Sequence, residues 1–190
     1  MSSADFEPDT WVSDGFRDGG GGGSGVGTLR LRATCDHEAV HAAAAVMLGW
    51  QPARAAIHSV DRGYCDTVRV AHWDSPRGWY EDLIFTIAPS ILCGDRSGGD
   101  ADKAVKLARK IAGHGLGGWA MATDRDVQRV YDRAIRAVHE IESTPKFRIL
   151  RRAIRASLEE FGLLDEVDLG RLVLFVERRH GTDVYRAELP

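Results

Sequence analysis

The seven residues Ala42-Ala43-Ala44-Ala45-Val46-Met47-Leu48 contain no polar position. A helix through them has no face to give to water, so the rest of the chain must surround it. Gly49 and Pro52 stop such a helix, and the spacing predicts one helix over 29–48. The same helix carries His37-Glu38-Ala39-Val40-His41, an H-E-x-x-H string. Two histidines four apart stand one turn above each other, so both imidazoles can address one metal ion. Glu38 lies beside them, placed to take a proton from a water on that metal. Hydrolysis at zinc needs such nitrogen donors and an open position, and this spacing supplies two of the donors.

A chain of 190 residues is long enough for one domain with a real core. At 44% hydrophobic and 28% charged its composition is that of an ordinary soluble protein, not a disordered one. The formal charge of -3 gives no general attraction to nucleic acid or to an anionic membrane. No apolar run reaches the roughly 18 residues of a membrane span, and the first residues lack the apolar core of a signal peptide. The expected location is cytoplasmic, with no membrane insertion. Cys35, Cys65 and Cys93 form no C-x-x-C pair and are odd in number, which fits a reducing compartment.

Residues 1–28 read as a disordered acidic, glycine-rich tail. Gly19 to Gly23 with Ser24-Gly25-Val26-Gly27 is a flexible linker by composition. It is not a phosphate loop, since no Lys-Ser/Thr follows and no apolar strand precedes. The domain is expected over 29–179, with 180–190 as a C-terminal tail. Alternation of Val68, Val70 and His72 with Thr67, Arg69 and Ala71 suggests a strand over 67–72. A shorter partner is expected over 55–60, with Asp61-Arg62-Gly63 as the turn. Helical spacing then returns at 79–93, with Leu83, Ile84, Ile87, Ile91 and Leu92 inward, and at 100–112, with Ala104, Leu107, Ala108 and Ile111 inward. Amphipathic segments follow at 123–142, 145–161 and 166–179. The expected class is mostly α (α+β), with a small sheet near the H-E-x-x-H helix.

A catalytic zinc needs a third protein ligand. His58, His72, His114, His139 and His180 have no motif around them, and structural or solvent roles suit them best; His72 sits on the strand expected near the site. The stretch Ser97-Gly98-Gly99-Asp100-Ala101-Asp102-Lys103-Ala104 offers a carboxylate at the start of a helix. On local grounds Asp100 reads better as an N-cap, with Asp102 suited to the helix dipole.

Asp36-His37-Glu38-Ala39-Val40-His41-Ala42 resembles the zinc helix of the peptidase domain in FtsH-type ATP-dependent metalloproteases, which typically reads H-E-A-G-H-A. Asp100-Ala101-Asp102-Lys103-Ala104-Val105-Lys106-Leu107-Ala108-Arg109 is similar to that family's D-x-x-x-A-x-x-x-A-R helix. Pro52 with Val60-Asp61-Arg62-Gly63 resembles its proline and P-R-G strand turn, and Asp124-Arg125-Asp126-Val127 its D-x-E-V opening of the C-terminal helices. The resemblance covers about residues 29 to 178 and implies a zincin-like helical peptidase domain. It implies Zn2+ held by His37, His41 and Asp100, with Glu38 as general base. Val40 stands where the family has Gly, and Gly94-Asp95-Arg96 lacks the family's following A-E pair. The motifs are expected to stand without the family's ATPase module. A stand-alone peptidase of this kind is expected to act on peptides or unfolded segments, as a homo-oligomer or beside a separate ATPase. The alternatives are an inactive peptidase-like scaffold used for protein binding or assembly, and a regulatory zincin that cuts one partner.

Arg125, Arg129, Arg133 and Arg136, with a nearby cluster of Lys146, Arg148, Arg151, Arg152 and Arg155, have the look of a phosphate-binding stripe. With a negative overall charge and no reading motif, the better account is a solvated face paired with Asp126, Asp132, Glu140 and Glu142.

Overall fold

The computed structural model describes residues 25–68, 74–94, 98–114, 118 and 121–186. Along them run α1 (Gly25–Met47), β1 (Gln51–Ser59), β2 (Arg62–Val68), α2 (Pro76–Cys93), α3 (Gly98–Gly113), α4 (Asp124–Ser143), α5 (Pro145–Phe161), β3 (Leu163–Leu164) and α6 (Glu166–His180). The protein is mostly α, with one small antiparallel sheet in the order β2-β1-β3.

The apolar half of α1 is the centre of the core. Ala39, Val40 and Ala42 to Ala45 are at most 1% exposed. Their small side chains let neighbouring elements come close. Phe147, Leu150, Ile154 and Leu158 of α5 and Leu83, Ile84 and Ile87 of α2 fill the space around them. The helix ends as its sequence demands: Gly49 takes φ 77°, and the Trp50 N–H donates to the Ala45 carbonyl at 2.8 Å.

α1 and α5 run antiparallel. Near the middle of the pair Arg151 grips Asp36 with two hydrogen bonds, Nε to Oδ1 at 2.9 Å and Nη2 to Oδ2 at 2.6 Å. At one end the segment after α6 ties them together. Its Tyr185 N–H donates to the Met47 carbonyl at 2.6 Å, and its Asp183 carbonyl accepts from Lys146 Nζ at 3.2 Å. The residues expected as a C-terminal tail are therefore packed back onto the domain as far as Asp183 and Tyr185.

Local signals set most helix starts. Thr123 and Asp126 form a capping box on α4. Thr144 accepts from the Phe147 N–H ahead of Pro145, and Asp165 accepts from the N–H groups of Val167 and Asp168. α2 begins at Pro76, earlier than the expected 79, because Ser75 caps it by accepting from the Gly78 N–H. α1 likewise begins at Gly25 rather than 29, so the last residues of the expected tail are helical.

The hairpin differs most from expectation. β1 runs from Gln51 and β2 from Arg62, so Val60-Asp61 is the loop and Arg62-Gly63 already belong to a strand. Of the expected strand over 67–72, Thr67 and Val68 lie in β2; the rest, His72 included, falls outside the described residues. The inward positions of β2 are Gly63, Cys65 and Thr67, too small and polar to show an apolar alternation. β3 pairs Leu163 and Leu164 with Ala56 and Ala55, and the Ile57 N–H donates to the Gly162 carbonyl at 2.8 Å.

The crowding around α1 is testable. Ala43→Leu should lower stability by about 1–3 kcal/mol through overpacking, read as a reduced midpoint in urea unfolding. A midpoint equal to wild type would show that the helix has room at its side.

Candidate metal centre

Adjacent turns of α1 present His37 and His41 with ring centroids 5.0 Å apart. The first turn of α3 brings Asp100 to them. Its Oδ2 lies 3.4 Å from His37 Nε2 and 3.5 Å from His41 Nε2. One donor atom from each of the three residues lies within 4.8 Å of the others. The histidines are 8% and 7% exposed, while Asp100 is half-buried and reachable from solvent.

These distances bear on what the group can hold. A charge-assisted N–H···O bond settles at about 2.7–2.9 Å. Zinc with bonds of about 2.0–2.1 Å in a tetrahedral array holds its donors about 3.4 Å apart. The two imidazole–carboxylate pairs here stand at the second spacing, and all three donors lie within 4.8 Å of one another. Burial lowers the pKa of His41, and the Asp100 contact opposes this only in part. The imidazole is thereby kept neutral, the form with a lone pair to give. His41 Nδ1 is buried and has no hydrogen-bond partner among the described residues. The ring is held instead by Phe85 at 4.6 Å between centroids, itself packed on Trp50 at 5.2 Å. His37, His41 and Asp100 thus fit a small divalent cation.

Glu38 is 5% exposed and lies under the hairpin. A Cβ built on Gly63 of β2 would fall 2.5 Å from Glu38 Cγ and 2.7 Å from its Oε1. Only a glycine lets the strand come this near. Burial, with a smaller contribution from the Asp100 charge and against that of His37, pushes the Glu38 carboxyl up to about 7. Such a group can exchange a proton near neutral pH. Cys65, next on the same strand face, has its thiol pushed well up by burial and by the charges of Glu38 and Asp66.

Asp100 and not Asp102 meets the histidines; Asp102 is exposed. Because α3 starts at Gly98, Asp100 lies within the first turn and is not the cap. Val40, the departure from the H-E-A-G-H pattern, is wholly buried in the core. His58 stacks on Tyr64 at 4.9 Å, His114 meets the edge of Trp79 at 5.6 Å, and His139 Nδ1 lies 3.4 Å from Glu142. His180 is exposed in the last turn of α6. None of these four is in the donor group. Cys35 is buried and Cys93 half-buried, its Sγ 3.6 Å from Asp36 Oδ2. Two members of the basic cluster have structural work: Lys146 is 4% exposed and bonded to Glu177 at 2.9 Å, and Arg151 grips Asp36. In the stripe, Arg129 pairs with Asp126 at 3.3 Å.

The contact of Gly63 with Glu38 and the packing of Phe85 on His41 were missed by sequence reasoning. A glycine inside a strand was the available signal for the first; nothing local pointed to the second. No protein-family model matches the chain, and no curated protein matches it in sequence. No helix among the described residues is long and apolar enough to cross a membrane.

The approach of the hairpin to Glu38 can be read by a double-mutant cycle. Gly63→Ala should cost about 1–3 kcal/mol by overpacking, and most of that cost should vanish in a Glu38→Ala background. Equal costs in both backgrounds, measured by urea unfolding, would show that another contact limits this position.

Proposed function

We propose that the protein is a zinc-dependent metalloendopeptidase, similar to the peptidase domains of FtsH-type proteases and cytoplasmic, acting on peptides or loosely folded segments. One observation carries the reading. His37, His41 and Asp100 converge at metal-donor spacing, and Glu38 lies on the same helical turn.

A metal ion bound there supplies Lewis acidity and lowers the pKa of a water. The set of two imidazoles and one carboxylate favours zinc over the oxygen-seeking magnesium and calcium. Glu38 accepts a proton from the attacking water at its carboxylate and returns it to the leaving amine. Its burial against Gly63 keeps that carboxylate from turning out into solvent. The outer edge of β2 has no strand beside it in the described sheet. An extended peptide can add there, with main-chain hydrogen bonds supplying affinity. The strand that would receive substrate is also the one that packs on Glu38.

Purified protein should carry about one zinc per chain by elemental analysis, and His41→Ala should lose it. No zinc in wild type after zinc is supplied would defeat the proposal. Glu38→Gln should keep the metal and lose hydrolysis of an unfolded, fluorescently labelled protein by about 10²-fold or more; full activity would remove Glu38 from the reaction. Asp100→Ala should weaken zinc binding while Asp102→Ala leaves it unchanged, and the reverse order would relocate the third ligand.

A further inference from the structure

We propose that Asp82 is a positioning residue for the metal centre: it draws the Lys103 ammonium away from Asp100 and so leaves that carboxylate to the cation. The inference rests on the metal-centre reading given above. Lys103 follows Asp100 by three residues on α3, a spacing at which an acid and a base pair readily along a helix. In the folded protein Lys103 Nζ lies 3.3 Å from Asp82 Oδ1 on α2 instead. Asp82 is only 8% exposed, an acid placed deep in the wall between α2 and α3. It stands three residues before Phe85, the side chain against which His41 packs.

Lys103 is close enough for its charge to be felt at His41. Turned toward Asp100, it would do two things. Its N–H groups would take carboxylate lone pairs that a metal needs, and its positive charge would sit where a dication must enter. Both effects oppose binding. Held by Asp82, the same ammonium is neutralised by a second carboxylate, and Asp100 keeps its charge for the site. Asp82 thus acts on the centre through Lys103, without being a ligand.

The test is a zinc titration against a chromophoric chelator for wild type, Asp82→Asn, Lys103→Met and the double variant, with thermal melts to confirm folding. Asp82→Asn should weaken zinc about tenfold or more, as loss of outer partners of metal ligands does. The double variant should return to the wild-type affinity, since no ammonium remains to compete. Lys103→Met alone should bind zinc at least as tightly as wild type. Wild-type affinity in Asp82→Asn would overturn the proposal. So would a double variant as weak as Asp82→Asn, because Asp82 would then serve only to hold α2 and α3 together. Should Asp82→Asn fail to fold, weakened binding in Lys103→Met would overturn it by itself. A wild-type protein that binds no zinc would instead remove the metal centre on which the inference rests.

Discussion

A helix without a polar face must be covered on every side, and that need organises this molecule. α5 and α2 lie along α1, the hairpin of β1 and β2 packs on it, and the segment after α6 closes over the Met47 carbonyl at its end. Alanine at four successive positions makes the cover close, because small side chains bring the neighbouring elements toward the helix axis. The Asp36–Arg151 pair marks where this regime begins. Before Asp36 the helix is largely exposed; after it the side chains are buried almost without a break. His37, Glu38 and His41 stand at the start of that buried half.

Putting two imidazoles and a carboxyl there has an electrostatic cost that the structure meets in different ways. His41 gives up its charge, its pKa lowered by burial. Glu38 keeps its proton up to about pH 7. Asp100 remains half-exposed and faces both histidines at a spacing too long for strong hydrogen bonds and right for donors around a small cation. A divalent ion among them would satisfy the lone pairs at one stroke.

How much of this can be read from the sequence depends on the range of the interaction. α4 and α5 start where Thr123 and Thr144 cap them, and α6 where Asp165 does, since a cap is a contact between residues three apart or fewer. The His37–His41 spacing is local in the same sense. Ser75-Pro76 gave a cap of equal quality, and the apolar pattern that begins at Trp79 hid it. The hairpin was displaced because Gly63, Cys65 and Thr67 face α1 and mimic no apolar alternation. β3 exists only through its pairing with Ala55 and Ala56, a contact no local pattern contains. Asp100 was ambiguous for a deeper reason. A carboxylate early in a helix satisfies the helix and can satisfy a metal by the same chemistry, and what separates the two is the start of α3 at Gly98 and the arrival of that turn beside α1.

The centre draws its parts from elements that can vary separately. The donor geometry depends on α1 and on how α3 is seated against α2. The place of Glu38 depends on the hairpin, through a glycine with no space for a side chain. In the proposed reaction a peptide adding to the outer edge of β2 would load the strand whose inner face confines the proton acceptor. Substrate docking and base placement would then be mechanically joined, while metal affinity would follow from how α2 and α3 hold the donors beside α1. On that proposal the fold would alter which peptides it accepts, through β2 and its loop, without disturbing the three residues that would hold an ion. The cost would fall on Gly63, where the strand proposed to receive substrate and the proposed base cannot be changed independently.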